Sequence, residues 1–109
     1  MKKLKREALE NRGWKVGTVS EFLGLSEEES ALIELRLTLG RSLRDRRTRQ
    51  GLTQVELAKR LRSSQSRVAK MEAADPSVSV DLLVRSLFAL GATSKDLGRV
   101  LSRSQAARG

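Results

Sequence analysis

The chain has 109 residues, a formal net charge of +9, a single proline and neither cysteine nor histidine. That length supports one domain rather than two. The two missing residue types exclude disulfides, thiolate or imidazole metal sites and every nucleophile–histidine pair, and no apolar run of about 18 residues is available to span a membrane.

The opening stretch MKKLKREALENRG carries a basic cluster with no apolar run behind it, which is not a secretory pattern. A cytoplasmic location is the expectation. LKREALENRG reads as a short helix ended by Gly13. Thr18 and Glu21 form a Thr-x-x-Glu capping box opening a second short helix that stops at Gly24. Residues 1–25 are thus expected to form a helical N-terminal extension.

Ser26 and Glu29 repeat the capping box and open a long helix to about Gln50, with Gly51 past its end. Glu27, Glu28 and Glu29 lie at its positive end and Arg46, Arg47 and Arg49 at its negative end, as the macrodipole favours. Gly40 stands inside and weakens the helix by roughly 1 kcal/mol relative to alanine. Ala31, Leu32, Leu35, Leu39 and Leu43 share one face, and Ile33 and Leu37 fall nearly opposite. One core cannot easily bury both. Trp14, Val16, Val19, Phe22 and Leu23 are expected to cover Ile33 and Leu37, with a second copy of the chain as the alternative cover.

Thr53 caps the next helix, to about Leu61, and Ser64 caps another, to about Ala74, where Asp75-Pro76 breaks it. Ser79 caps VDLLVRSLFAL, ended by Gly91. A last helix follows Ser94 and is expected to fray after Arg103. No segment alternates with period two, so the fold class is all-α.

Between Arg36 and Lys70, eleven positive residues accompany only Asp45 and Glu56, so the whole net charge sits in the middle third. A concentrated basic zone suits a polyanion partner; a solvated face is the alternative. Within it lies GLTQVELAKRLRSSQSRVAKMEAAD, Gly51 to Asp75. Taking Gln54 as the first position of a twenty-residue unit, 54–73, puts Leu57, Ala58 and Leu61 on the inner face of one helix. Val68 and Met71 take the inner face of the next. Gln65, Ser66, Arg67 and Lys70 then project outward near a helix N-terminus. Gln suits the N6/N7 edge of adenine, Arg the O6/N7 edge of guanine, and Ser and Lys suit phosphate.

These residues resemble the helix-turn-helix of phage-lambda-type (Xre family) repressors. GLTQ resembles the opening of that unit and QSRV the start of its recognition helix. Glu72 matches a family acid at the helix end, and PSVSVDLLVRSLFALG resembles the helix that follows. The resemblance runs roughly from Leu39 to Leu101. It implies a five-helix lambda-repressor-like DNA-binding domain over 26–103, with an extended first core helix, acting as a homodimer on duplex operator DNA. By the same resemblance Gln54 holds a phosphate and steadies Gln65, while Gln65, Ser66, Arg67 and Lys70 face the major groove. Arg62 stands where the family usually has glycine, and Ser63 where it has an apolar residue. The longer layout, with GW, EFLGL and an acid-capped long helix, is similar to HigA-type antitoxins, which adds a toxin as a candidate partner.

The candidate DNA-binding set is therefore Gln54, Ser64, Gln65, Ser66, Arg67 and Lys70, with Thr53, Arg62, Arg44 and Arg47 beside it. For Arg41, Arg44 and Arg47, a phosphate contact and a solvated charge are equal alternatives. RNA is the weaker partner, because Trp14, Phe22 and Phe88 are the only aromatics and none lies in the basic zone. No enzyme activity, metal or cofactor is expected.

Overall fold

The computed structural model describes Gly24 and residues 26–108. The chain divides into two compact units, Met1–Glu34 and Leu35–Gly109. The expected N-terminal extension, and the cover of Ile33 and Leu37 by Trp14, Val16, Val19, Phe22 and Leu23, lie outside the described residues. Leu32 and Ile33 in the first unit and Leu37 in the second are exposed.

Among the described residues, five helices follow one another: α1 (Glu27–Arg49), α2 (Gln54–Leu61), α3 (Gln65–Glu72), α4 (Val80–Ala89) and α5 (Ser94–Arg108). No strand occurs among the described residues. Each helix starts at a side-chain cap, which satisfies amide donors that have no partner within the helix. Ser26 and Glu29 close a reciprocal box at 2.8 and 3.1 Å, as do Thr53 and Glu56 at 2.8 and 3.0 Å. Ser64 accepts from the Arg67 amide, and Ser79 from that of Leu82. For α5 the cap is Thr93, boxed with Asp96, one residue before the expected Ser94. This helix continues to Arg108, five residues past the expected point of fraying.

Four helices end in the same way, with paired backbone bonds that wrap the last turn. After α1, the Gly51 amide bonds the Thr48 carbonyl and the Leu52 amide that of Arg47; after α4, Gly91 and Ala92 repeat the pattern. The closure of α2 and α3 uses Arg62 and Ala74 at the left-handed position, where glycine is the unstrained choice. The break after α3 is thus made at Ala74, and the helix stops at Glu72, before the Asp75-Pro76 step expected to end it.

The core of the second unit joins Leu39 and Leu43 to Leu57, Ala58, Val68, Met71, Val78, Leu83, Leu87, Leu90 and Ala92. Burying each large side chain contributes roughly 1.5–3 kcal/mol. The expected apolar face of α1 is buried only at its C-terminal end: Leu35 is half-buried, and Ala31 and Leu32 are exposed. Between Leu39 and Leu43 the helix needs Gly40. A Cβ there would lie 2.8 Å from the Met71 carbonyl oxygen and 3.1 Å from that of Glu72, so the end of α3 sits directly on the α1 backbone. Polar links complete the frame. The Arg36 guanidinium donates to the Val78 carbonyl at 3.1 Å, the Gln50 amide to the Leu90 carbonyl at 2.7 Å, and Arg46 pairs with Asp96 at 3.4 Å.

Candidate nucleic-acid interface

The turn between α2 and α3 is Arg62-Ser63-Ser64. Arg62 adopts φ 55° and ψ 47°, and its amide and that of Ser63 bond the Lys59 and Ala58 carbonyls. This closes α2 and turns the chain sharply. Ser64 is then extended, which suits its role as cap for α3. Opposite Val68 and Met71, both with 0% exposure, the side chains of Gln65, Ser66, Arg67 and Lys70 are all exposed. The packing of the two apolar residues against α1, α2 and α4 therefore leaves a polar outer face on α3.

One residue of that face is held from behind. The Gln65 amide nitrogen donates to the Gln54 side-chain oxygen at 2.6 Å. The Gln54 amide nitrogen donates to Glu72 Oε1 at 3.1 Å. Glu72, with 5% of its side chain exposed, is gripped by Arg47 through Nε to Oε2 and through Nη2 to Oε1 at 3.0 Å. Arg47 also donates from Nη1 to the Leu52 carbonyl at 2.8 Å. A continuous path thus runs from α1 through the end of α3 and the start of α2 to the first residue of α3.

Arg47 is not simply a solvated charge: its side chain is only 11% exposed, and each of its three nitrogens makes a hydrogen bond inside the fold. Its hydrogen bond to Glu72 and the neighbouring negative charge outweigh burial and raise its pKa above the ordinary arginine value. Arg44, by contrast, is exposed, as are Arg41, Arg62 and Thr53. Thr53 lowers the Glu56 pKa through its amide and then its hydroxyl, so the hydroxyl is engaged in capping. Gln54 is half-buried between Glu72 and Gln65.

Sequence reasoning missed the joint role of Arg47 and Glu72. An arginine near the basic end of a helix looks solvated until its partner, 25 positions away, is placed beside it.

The model of the family described as helix-turn-helix domain matches residues 38–101, more than half of the chain. The chain belongs to that family. No curated protein and no solved structure matches it. The helix-turn-helix domain has the all-α, lambda-repressor-like architecture that the resemblance implied, with the 23-residue α1 as its long first helix. Membership makes it a DNA-binding regulator domain. Among the described residues of the helix-turn-helix chain, no helix is long and apolar enough to cross a membrane.

Proposed function

We propose that the protein is a sequence-specific transcriptional repressor of the Xre type, which binds duplex DNA as a homodimer on an inverted-repeat operator. The observation that carries this reading is the outer face of α3. Gln65, Ser66, Arg67 and Lys70 are exposed together on a helix whose inner side is locked by Val68 and Met71. Laid in a major groove, Gln65 and Arg67 reach base edges, while Ser66 and Lys70 bond phosphate or base edges. Ser64, Thr53 and Gln54 at the two helix starts, with exposed Arg62 and Arg44, lie toward the DNA backbone and hold the orientation. A single helix reads too few base pairs to be selective, which favours two copies.

Selection of bound sites from random duplex DNA tests this. The expected result is an inverted repeat with half-sites about 34 Å apart, one helical turn. Selected sites with no preferred sequence, or with no inverted symmetry, would overturn the specific or the dimeric part respectively.

A second reading draws on Leu32 and Ile33, adjacent residues of the first unit, which are exposed at 40% and 42%. Apolar exposure of this size on one helix suits a protein partner. On that reading the protein is an antitoxin of the HigA type, which neutralises a toxin and uses DNA binding for autoregulation. Copurification with the product of an adjacent reading frame, lost on Ile33→Asp, distinguishes the two.

A further inference from the structure

We infer that Glu72 is a positioning residue for base reading: its carboxylate decides which way the Gln54 and Gln65 amides face, and so what Gln65 presents to DNA. This rests on the base-reading role proposed above for Gln65.

The argument is one of hydrogen-bond polarity. A carboxylate accepts and does not donate, and an arginine donates and does not accept. Arg47 occupies both Glu72 oxygens, and Oε1 keeps room for one more donor. The Gln54 group that meets it, at 3.1 Å, must therefore be the NH2. A planar amide with its nitrogen turned one way has its oxygen turned the other, and that oxygen takes a proton from Gln65 at 2.6 Å. Gln65 thus keeps one N–H and its Oε1 for a ligand. A donor beside an acceptor fits the N7/N6 edge of adenine.

Without an acceptor at the origin, the Gln54–Gln65 bond forms equally well in the opposite sense. Gln65 would then accept from Gln54 and present both of its N–H groups outward. Two donors fit the paired N7/O6 acceptors of guanine instead. Glu72→Gln should produce this reversal. Arg47 will draw the new amide oxygen to itself, which leaves an NH2 facing Gln54.

The test is site selection with the full chain and four proteins: the parent, Gln65→Ala, Glu72→Gln and Gln54→Met. Gln54→Met leaves the Arg47–Glu72 pair intact and guards against a Glu72 variant that fails to fold. At the position whose preference Gln65→Ala abolishes, Glu72→Gln should lower adenine-over-guanine discrimination about tenfold, and Gln54→Met should relax it, with the other positions unchanged. In the free protein, the Gln65 side-chain amide resonances should move toward those of an unbonded amide in Gln54→Met. If Glu72→Gln and Gln54→Met weaken all sequences equally while Gln65→Ala relaxes one position, the relay is overturned and base reading stands. If Gln65→Ala changes no preference, base reading by Gln65 fails and the inference falls with it.

Discussion

Gly40 and Met71 are in backbone contact: a Cβ on Gly40 would stand 2.8 Å from the Met71 carbonyl oxygen. Gly40→Ala should gain about 1 kcal/mol in helix propensity. It should lose more, because the atom it meets is backbone that moves only if α3 moves; overpacking of this kind costs about 1–3 kcal/mol. The expected outcome is a net loss of stability, measured as a lower urea midpoint at unchanged slope. A higher midpoint would mean that α3 shifts without resistance.

Arg62 and Ala74 carry positive φ at 55° and 59°. Relief of left-handed strain by glycine is worth about 1–2 kcal/mol, offset by about 0.4–1 kcal/mol for the more flexible unfolded chain. Arg62→Gly and Ala74→Gly should therefore each raise stability by about 0.5–1 kcal/mol, read by chemical denaturation. Only the first should also weaken DNA binding, since it alone removes an exposed charge at the turn.

Arg44 and Arg47 lie one helical turn apart and should behave oppositely. Arg44→Ala, at an exposed position, should leave stability nearly unchanged and flatten the salt dependence of DNA binding by about one unit of slope. Arg47→Met strands the Glu72 carboxylate and should cost about 3 kcal/mol, the low end for breaking a buried pair, with the slope for the remaining folded protein unaltered. Titration of binding against salt for both variants, beside their unfolding curves, checks the contrast.

Acid should destabilise the fold through two helix caps and one turn. The Thr53 amide and hydroxyl hold Glu56 below the usual carboxylate range, the Ser77 hydroxyl and amide do the same for Asp75, and the Thr93 amide and hydroxyl for Asp96. A carboxylate whose pKa is lower when folded stabilises above its unfolded pKa, and that contribution disappears as pH falls through the folded value. Stability should thus be flat near neutrality and decline below about pH 4. Glu56→Gln, which can still accept from the Thr53 amide, should show a shallower decline in urea midpoint over that range.

Local features are legible in the order of the residues alone. Ser26, Thr53, Ser64 and Ser79 each bond an amide three positions ahead, so the cap and its partner sit in one short window. The inward places of Leu57, Ala58, Val68 and Met71 follow from helical spacing, and so does the outward place of Gln65, Ser66, Arg67 and Lys70. What escapes such a reading depends on distant segments. Gly40 looks like a flaw until Met71 is brought against it, and Arg47 looks solvated until Glu72 arrives. Ala74 hides its left-handed turn because alanine carries no signal for one. The full burial of Leu39 and Leu43, against the partial burial of Leu35, depends on how far the partner helices of the second unit reach along α1.

The anchoring of Gln65 bears on how a domain like this can acquire new targets. Ser66 and Arg67 make no side-chain hydrogen bond among the described residues, so they are free to drift, and each exchange alters the surface without disturbing its support. Gln65 is different, since its amide is one end of a path that passes through Gln54 and Glu72 to Arg47. Divergence at that position demands a matched exchange at Gln54. A mutant library that varies 65 and 54 together should therefore yield new specificities that a library varying 65 alone does not reach.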